Sequence, residues 1–292
     1  MGDPTELDSP PVCRKLQSFR ILILFHVAVA TWLRINAGAG GGLSGIAARP
    51  HILLLSYGLI AMCLAGLLPN LRIVAPRIAT LLAAFLTVSL LPDTANHVFL
   101  EFFCLLFLCF ADDSEPAECE LVIRSLCSVF AIILFYTGFQ KLIYGQYFDG
   151  QYLAFAVATE DRFATFLQIV IPADEFERLR NLDPNTIGSG PFRFETPWLV
   201  AATNAIYIVE MGLPALLQLR KFRTAACLAA IVLIMLIELG AREIIFGVLF
   251  ISLAALHFEK NWVGRLLPVI AGFYVYLIAG QLGLVPILEL AY

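Results

Sequence analysis

The sequence predicts an all-α integral membrane protein: a polytopic helical bundle of about nine spans, with interfacial helices in one long outer loop. Three observations predict it. Hydrophobic residues make up 60% of the 292 positions. Charged residues make up only 14%, where a soluble domain carries about 25%. The apolar residues fall in long runs divided by short basic or turn-forming segments, and the mean hydropathy is +0.85.

The elements follow in order. Arg14, Lys15 and Arg20 open the first span (19–36), and Arg34 stands near its end. Residues 37–46, "AGAGGGLSGI", have no Gly-Lys-Ser/Thr and so read as a flexible connector, not a P-loop. Spans at 51–69 and 76–92 are divided by Arg72 and Arg77. The span at 96–111 opens on Asn96 and His97, and the acidic "ADDSEPAECE" separates it from 121–143. The loop 144–196 is long. Its aromatic "YGQYFDGQYLAFAVA" and its mixed "EDRFATFLQIVIPADEFERLRN" suit helices lying in the interface, and 181–195 has turn chemistry. Spans at 197–219, 223–239, 243–258 and 264–290 complete the set. Those at 76–92, 96–111 and 243–258 are short and fit a locally thinned bilayer.

Short-loop Lys and Arg residues favour a cytoplasmic N-terminus, with Arg220, Lys221, Arg223, Lys260 and Arg265 on the same side. Residues 1–15 are then a short cytoplasmic tail, 16–292 a single transmembrane domain, and 144–196 an outer excursion. The expected location is a bacterial inner membrane. The N-terminus lacks the basic region and cleavage site of a signal peptide, and Glu6 argues against myristoylation. A net charge of −4 without a long basic run excludes nucleic acid as the expected partner. The seven cysteines lack CxxC or Cys/His metal spacing and read as small buried hydrophobes, so no metal is predicted.

Ionisable groups inside spans are costly and point to function. The outer halves of the predicted spans collect Asn96, His97, Glu101, Lys141, Glu238, Arg242 and Glu243, and Glu210 stands at mid-span. Each also has a plainer reading. Lys141 can snorkel to the headgroups. Asn96 and His97 can cap their span, and Glu101 can pair with His97 at i,i+4 spacing. Glu238, Arg242 and Glu243 can form a structural ion pair in a tight turn. Glu210 must be protonated or paired. His26, His51 and His257 read as core or interfacial polar groups.

Three stretches carry a resemblance: "LQSFRILILFHVAVATWLR" (16–34), "TANHVFLEFFCLLFLCFADD" (94–113) and "FYTGFQKLIYGQYFDGQYL" (135–153). Together they resemble the membrane domain of vitamin K-dependent gamma-carboxylase and its HTTM (horizontally transferred transmembrane) relatives, over about residues 16–258. The resemblance implies a reduced quinone, vitamin K-like or menaquinol, as cofactor. It implies Lys141 as the base that deprotonates the quinol, with Asn96 and His97 lining the same site. Glu210, Glu238, Arg242, Glu243, Tyr147, Phe148 and Tyr152 are the expected substrate-binding residues. Tyr147, Phe148, Tyr152 and Phe155 are expected to face lipid or ligand. A lysine with no acid near it in sequence, in an apolar setting, is what such a base requires, because burial favours the neutral amine.

Two features depart from the carboxylases. Their later spans carry a histidine and an asparagine where "IELGAREIIFGVLF" (237–250) stands here. They also continue into a large extramembrane region, whereas this sequence stops at Tyr292. The implied activity is oxygen- or quinone-linked chemistry, extending to modification of a partner peptide. The alternatives are a non-catalytic module that anchors, matures or exports a small secreted partner, and a DoxX-like quinone-linked redox component. Membrane lipid and a lipophilic quinone are the expected partners. Transport is disfavoured by the lack of an inverted repeat.

Overall fold

The computed structural model describes residues 10–36, 49–91, 96–111, 115–183 and 191–285. Among them are helices and no strand. The helices are α1 (Pro11–Asn36), α2 (Pro50–Ala65), α3 (Val74–Ser89), α4 (Asn96–Cys109), α5 (Pro116–Tyr144), α6 (Gln151–Thr159), α7 (Asp161–Leu167), α8 (Ala173–Arg180), α9 (Pro197–Gln218), α10 (Arg223–Ala241), α11 (Ile244–Ala255) and α12 (Trp262–Gln281). Five of them, α1, α5, α9, α10 and α12, are long and apolar enough to cross a membrane. The apolar helices α2, α3, α4 and α11 are shorter. By length and composition this is a multi-pass helical membrane protein.

Helix and span are not the same length. α1 begins at Pro11 and α5 at Pro116, ahead of their apolar runs, because proline suits the first helical turn and polar residues propagate a helix as well as apolar ones. α2 stops at Ala65, short of the predicted end at 69, and a short 3-10 turn follows over Pro69–Leu71.

The chain divides into two compact units. The first holds α1–α4, α5 up to Ser128, and α11 and α12 from Glu243 on. Within it, basic side chains bind carbonyls at helix C-termini. Lys15 Nζ donates to Leu256 O and Phe258 O beyond α11. Arg20 donates to Leu108 O and Ala111 O, and Arg77 to Cys109 O, at the end of α4. Asn261 caps α12 by accepting from Gly264 N, and its amide reaches Ser18 Oγ on α1. The starts of α1 and α12 and the ends of α4 and α11 therefore share one side of this unit. The carbonyls that a helix end leaves open are satisfied there by cations.

The second unit runs from Val129 to Arg242. The excursion between α5 and α9 folds into α6, α7 and α8 around a small core of Ala154, Val157, Ile171, Leu179, Phe194 and Leu199. Buried Glu175 fixes the approach to α9, accepting from the backbone N–H groups of Glu195 and Thr196 and from the Thr196 hydroxyl. Arg180 donates to Val157 O and Ala158 O at the end of α6, and Arg162 to Ala241 O at the end of α10.

Candidate functional site

Lys141 and Glu210 meet in the second unit. Lys141 lies in the last turn of α5, and its Nζ forms an ion pair with Glu210 Oε1 on α9. The lysine expected to be unpaired therefore has a carboxylate partner, 69 residues away in sequence, where a local reading of charge could not place it. Glu210 is paired, as a mid-span carboxylate must be. Its side chain is only 2% exposed and that of Lys141 21%, so the pair is reached from the lysine side.

Two local features build the contact. Gly138, one turn before Lys141, lets the helices touch: a Cβ there would stand 2.8 Å from Tyr207 O and 2.9 Å from Glu210 Cβ. Pro214 lies inside α9, four residues after Glu210, so the Glu210 carbonyl is freed of its usual i+4 N–H donor. The second carboxylate oxygen, Oε2, is buried and has no hydrogen-bond partner among the described residues. The site thus holds one ammonium, one paired carboxylate oxygen, one open carboxylate oxygen and one freed carbonyl.

A turn over residues 145–150 covers the pair. Gly145 and Gly150 take positive φ there, 67° and 73°. Lys141 Nζ stands 5.3 Å from the centre of the Tyr147 ring, and that ring stacks on Tyr152 at 5.4 Å. Phe148 packs on Tyr207. Tyr147 is buried with its ring over the Lys141 ammonium; Phe148, Tyr152 and Phe155 are exposed. Burial pushes the Tyr147 phenol well above its ordinary range, and Tyr152 and Glu210 act in the same direction. The turn is held from α9: Thr203 Oγ1 donates to Tyr147 O (2.8 Å) and Asn204 Nδ2 to Phe148 O (2.9 Å). Tyr207 Oη donates to Asn204 Oδ1 (2.8 Å).

A second polar cluster lies in the first unit. Glu101 does not pair with His97; it accepts from Arg34 (Nη1 to Oε2, 2.9 Å) and lies 3.3 Å from His26 Nε2. His26 Nδ1 meets the Tyr274 hydroxyl. An ionised carboxylate only accepts, so Nε2–H donates to Glu101 and the Tyr274 O–H donates to Nδ1. All four residues are buried. The i,i+4 expectation fails because Arg34, on a neighbouring helix, offers a bidentate partner that an imidazole cannot match. Arg34 is thereby a buried structural group. The His97 ring packs instead against Phe246, centres 6.4 Å apart. Asn96 opens α4, and its side chain lies outside the described residues.

The remaining expected site residues mark helix ends. Arg242 closes α10 in a left-handed conformation, φ 55°, with its N–H on Glu238 O. Glu243 precedes α11. Glu238 and Arg242 belong to the second unit and Glu243 to the first. Sequence reasoning missed Thr203, Asn204 and Tyr207. Their spacing to Glu210 does carry a signal, since residues 203, 207 and 210 recur on one face of an apolar helix. It missed Arg34, His26 and Tyr274 as a network because the cluster joins α1, α4 and α12, which are distant in sequence.

Among the described residues no group of His, Cys, Asp or Glu is placed to hold a metal ion. Compared with known proteins, the chain matches no family model, no curated protein and no solved structure.

Proposed function

We propose that this chain is an HTTM-type membrane protein, similar to the membrane domain of vitamin K-dependent gamma-carboxylase. It binds a lipophilic quinol at the Lys141–Glu210 pair. The observation that carries this reading is the open, buried Glu210 Oε2 beside a paired ammonium. An open carboxylate oxygen in an apolar wall calls for a donor, and a phenolic hydroxyl is one. Glu210 Oε2 accepts the hydroxyl proton, and the Lys141 ammonium holds the oxygen that has lost it. This alters the role expected for Lys141. Lys141 is already one partner of an ion pair whose second carboxylate oxygen is open, so proton acceptance passes to the glutamate and charge stabilisation to the lysine. A bound quinol supplies the reducing equivalents for oxygen- or quinone-linked chemistry.

In the same reading all nine apolar helices are spans, the N-terminus is cytoplasmic, and the membrane is a bacterial inner membrane. The gathering of Lys15, Arg20 and Arg77 on one side of the first unit supports that orientation. The excursion lies in the outer interface, with Phe148, Tyr152, Phe155, Ile169 and Val170 exposed toward lipid.

Native mass spectrometry of the purified protein tests the reading. A quinone should co-purify with the wild type and be lost from Glu210→Gln and Lys141→Met. An unrelated lipid, or none, overturns it in favour of a non-catalytic module for a small secreted partner.

A further inference from the structure

On the reading that Lys141 and Glu210 are the working pair, we propose that Asn204 is a positioning residue. It holds the Tyr147 ring over the Lys141 ammonium and so sets on which partner the shared proton rests. The turn that carries Tyr147 follows the end of α5, contains two glycines at positive φ and closes on itself through Phe148 N–H to Gly145 O (3.1 Å), Gly150 N–H to Tyr147 O (3.2 Å) and Tyr152 N–H to Gln146 O (2.9 Å). Those bonds shape the turn, and side chains of α9 tie it to the helix that carries Glu210. Asn204 Nδ2 reaches both the Phe148 carbonyl, at 2.9 Å, and the Tyr147 carbonyl, at 3.4 Å. Thr203 Oγ1 adds a second donor to Tyr147 O. The amide is held in turn by the Tyr207 hydroxyl on its Oδ1, and its NH2 divides its hydrogens between the turn and Val200 O, 2.8 Å away on its own helix. Thr203, Asn204 and Tyr207 therefore act as one strap on the helix that also carries Glu210.

The strap matters because the Tyr147 ring is the second stabiliser of the ammonium. In an apolar setting an ion pair and its neutral form, amine beside carboxylic acid, lie close in energy. A ring face 5.3 Å from Nζ favours the charged form. Loss of such a contact changes the ratio of the two forms by about two- to fivefold. Releasing the turn moves proton density from Lys141 to Glu210 without touching either residue.

Infrared spectroscopy of the purified protein reads this directly. The carboxylic C=O stretch of Glu210 is assigned by its disappearance in Glu210→Gln. The double variant Thr203→Val/Asn204→Leu should raise the protonated-carboxyl signal at neutral pH, the ratio of neutral to charged pair increasing by about two- to fivefold. Tyr207→Phe, which removes one hydroxyl and leaves the amide in place, should move it the same way by less. Asn204→Gln, which restores an amide donor, should recover part of the wild-type signal. An unchanged signal in both the double variant and Tyr207→Phe, with wild-type helical circular dichroism, overturns the proposal. So does an unchanged signal in Tyr147→Leu. None of these readings requires a quinone, so the strap can fail while the quinol site stands, and the reverse.

Discussion

Gly138 on α5 faces Glu210 on α9 with no room for a methyl group between them. A Cβ at position 138 would stand 2.9 Å from the Glu210 Cβ and 2.8 Å from the Tyr207 carbonyl oxygen. Two of those atoms belong to the backbone or stand next to it, so neither helix can yield by a rotamer change. Gly138→Ala should therefore separate α5 from α9 locally and weaken the Lys141–Glu210 contact. The expected loss is about 1–3 kcal/mol. Thermal unfolding in detergent, followed by circular dichroism, measures it; a wild-type melting temperature would contradict the close approach.

The first unit predicts a different asymmetry. Arg34 and Glu101 are both buried, and each is the other's charge partner. Removing Glu101 alone leaves a guanidinium without its countercharge. Glu101→Ala should cost about 3–5 kcal/mol. The double replacement Arg34→Leu/Glu101→Leu should cost less than either single change, because no charge remains. Unfolding free energies in mixed micelles decide it, and additive losses would count against a buried pair.

These two sites show what could be read in the chain and what could not. The apolar runs, the helices of the long excursion and the need for a partner at Glu210 were legible, because hydropathy and the cost of a buried carboxylate act within one segment. The partners were not. Lys141 has no acid near it in sequence, and Glu210 reaches it only because Gly138 permits contact between two helices 69 residues apart. Glu101 was read against His97, its neighbour at i,i+4, whereas Arg34 from α1 takes it. A local rule names the nearest candidate along one helix, and packing between helices overrides it. The 37–46 connector and the turn-rich residues 184–190 lie outside the described residues.

Glu175 gives the third prediction. Its carboxylate accepts from two backbone N–H groups and one hydroxyl at the approach to α9, with Arg178 Nη2 at 3.4 Å. An amide has one oxygen where the carboxylate has two, and would turn N–H groups against those donors. Glu175→Gln should cost about 1–3 kcal/mol and speed proteolysis between α8 and α9. An unchanged cleavage rate would mean that the approach is fixed by the surrounding core instead.

Orientation is the fourth. Glu177 is exposed in the excursion and Lys221 is exposed between α9 and α10. With Cys109 and Cys127 replaced by serine, a membrane-impermeant thiol reagent should label Glu177→Cys in intact cells. It should label Lys221→Cys only after the membrane is opened. The reverse pattern would place the N-terminus outside and remove the outer site.

Tyr147 supplies a pH dependence with a definite sign. Its phenol is pushed up from 10.0 in the folded protein, first by burial and then by Tyr152 and Glu210. Unfolding returns it to the ordinary value. Between the two values the folded state holds a proton that the unfolded chain releases. The stability linked to Tyr147 is therefore fully present below pH 10 and is lost as the pH rises above it, at up to about 1.4 kcal/mol per pH unit. Tyr147→Phe keeps the ring over Lys141 and the stack on Tyr152 but has no proton to lose. The difference in unfolding free energy between wild type and Tyr147→Phe should be flat from pH 7 to the onset of phenol ionisation. It should then shift steadily against the wild type. The other tyrosines are common to both proteins and cancel in the difference. A difference that stays flat through pH 11 would show that the Tyr147 hydroxyl is solvated, and that the turn does not close over Lys141 as the structure has it.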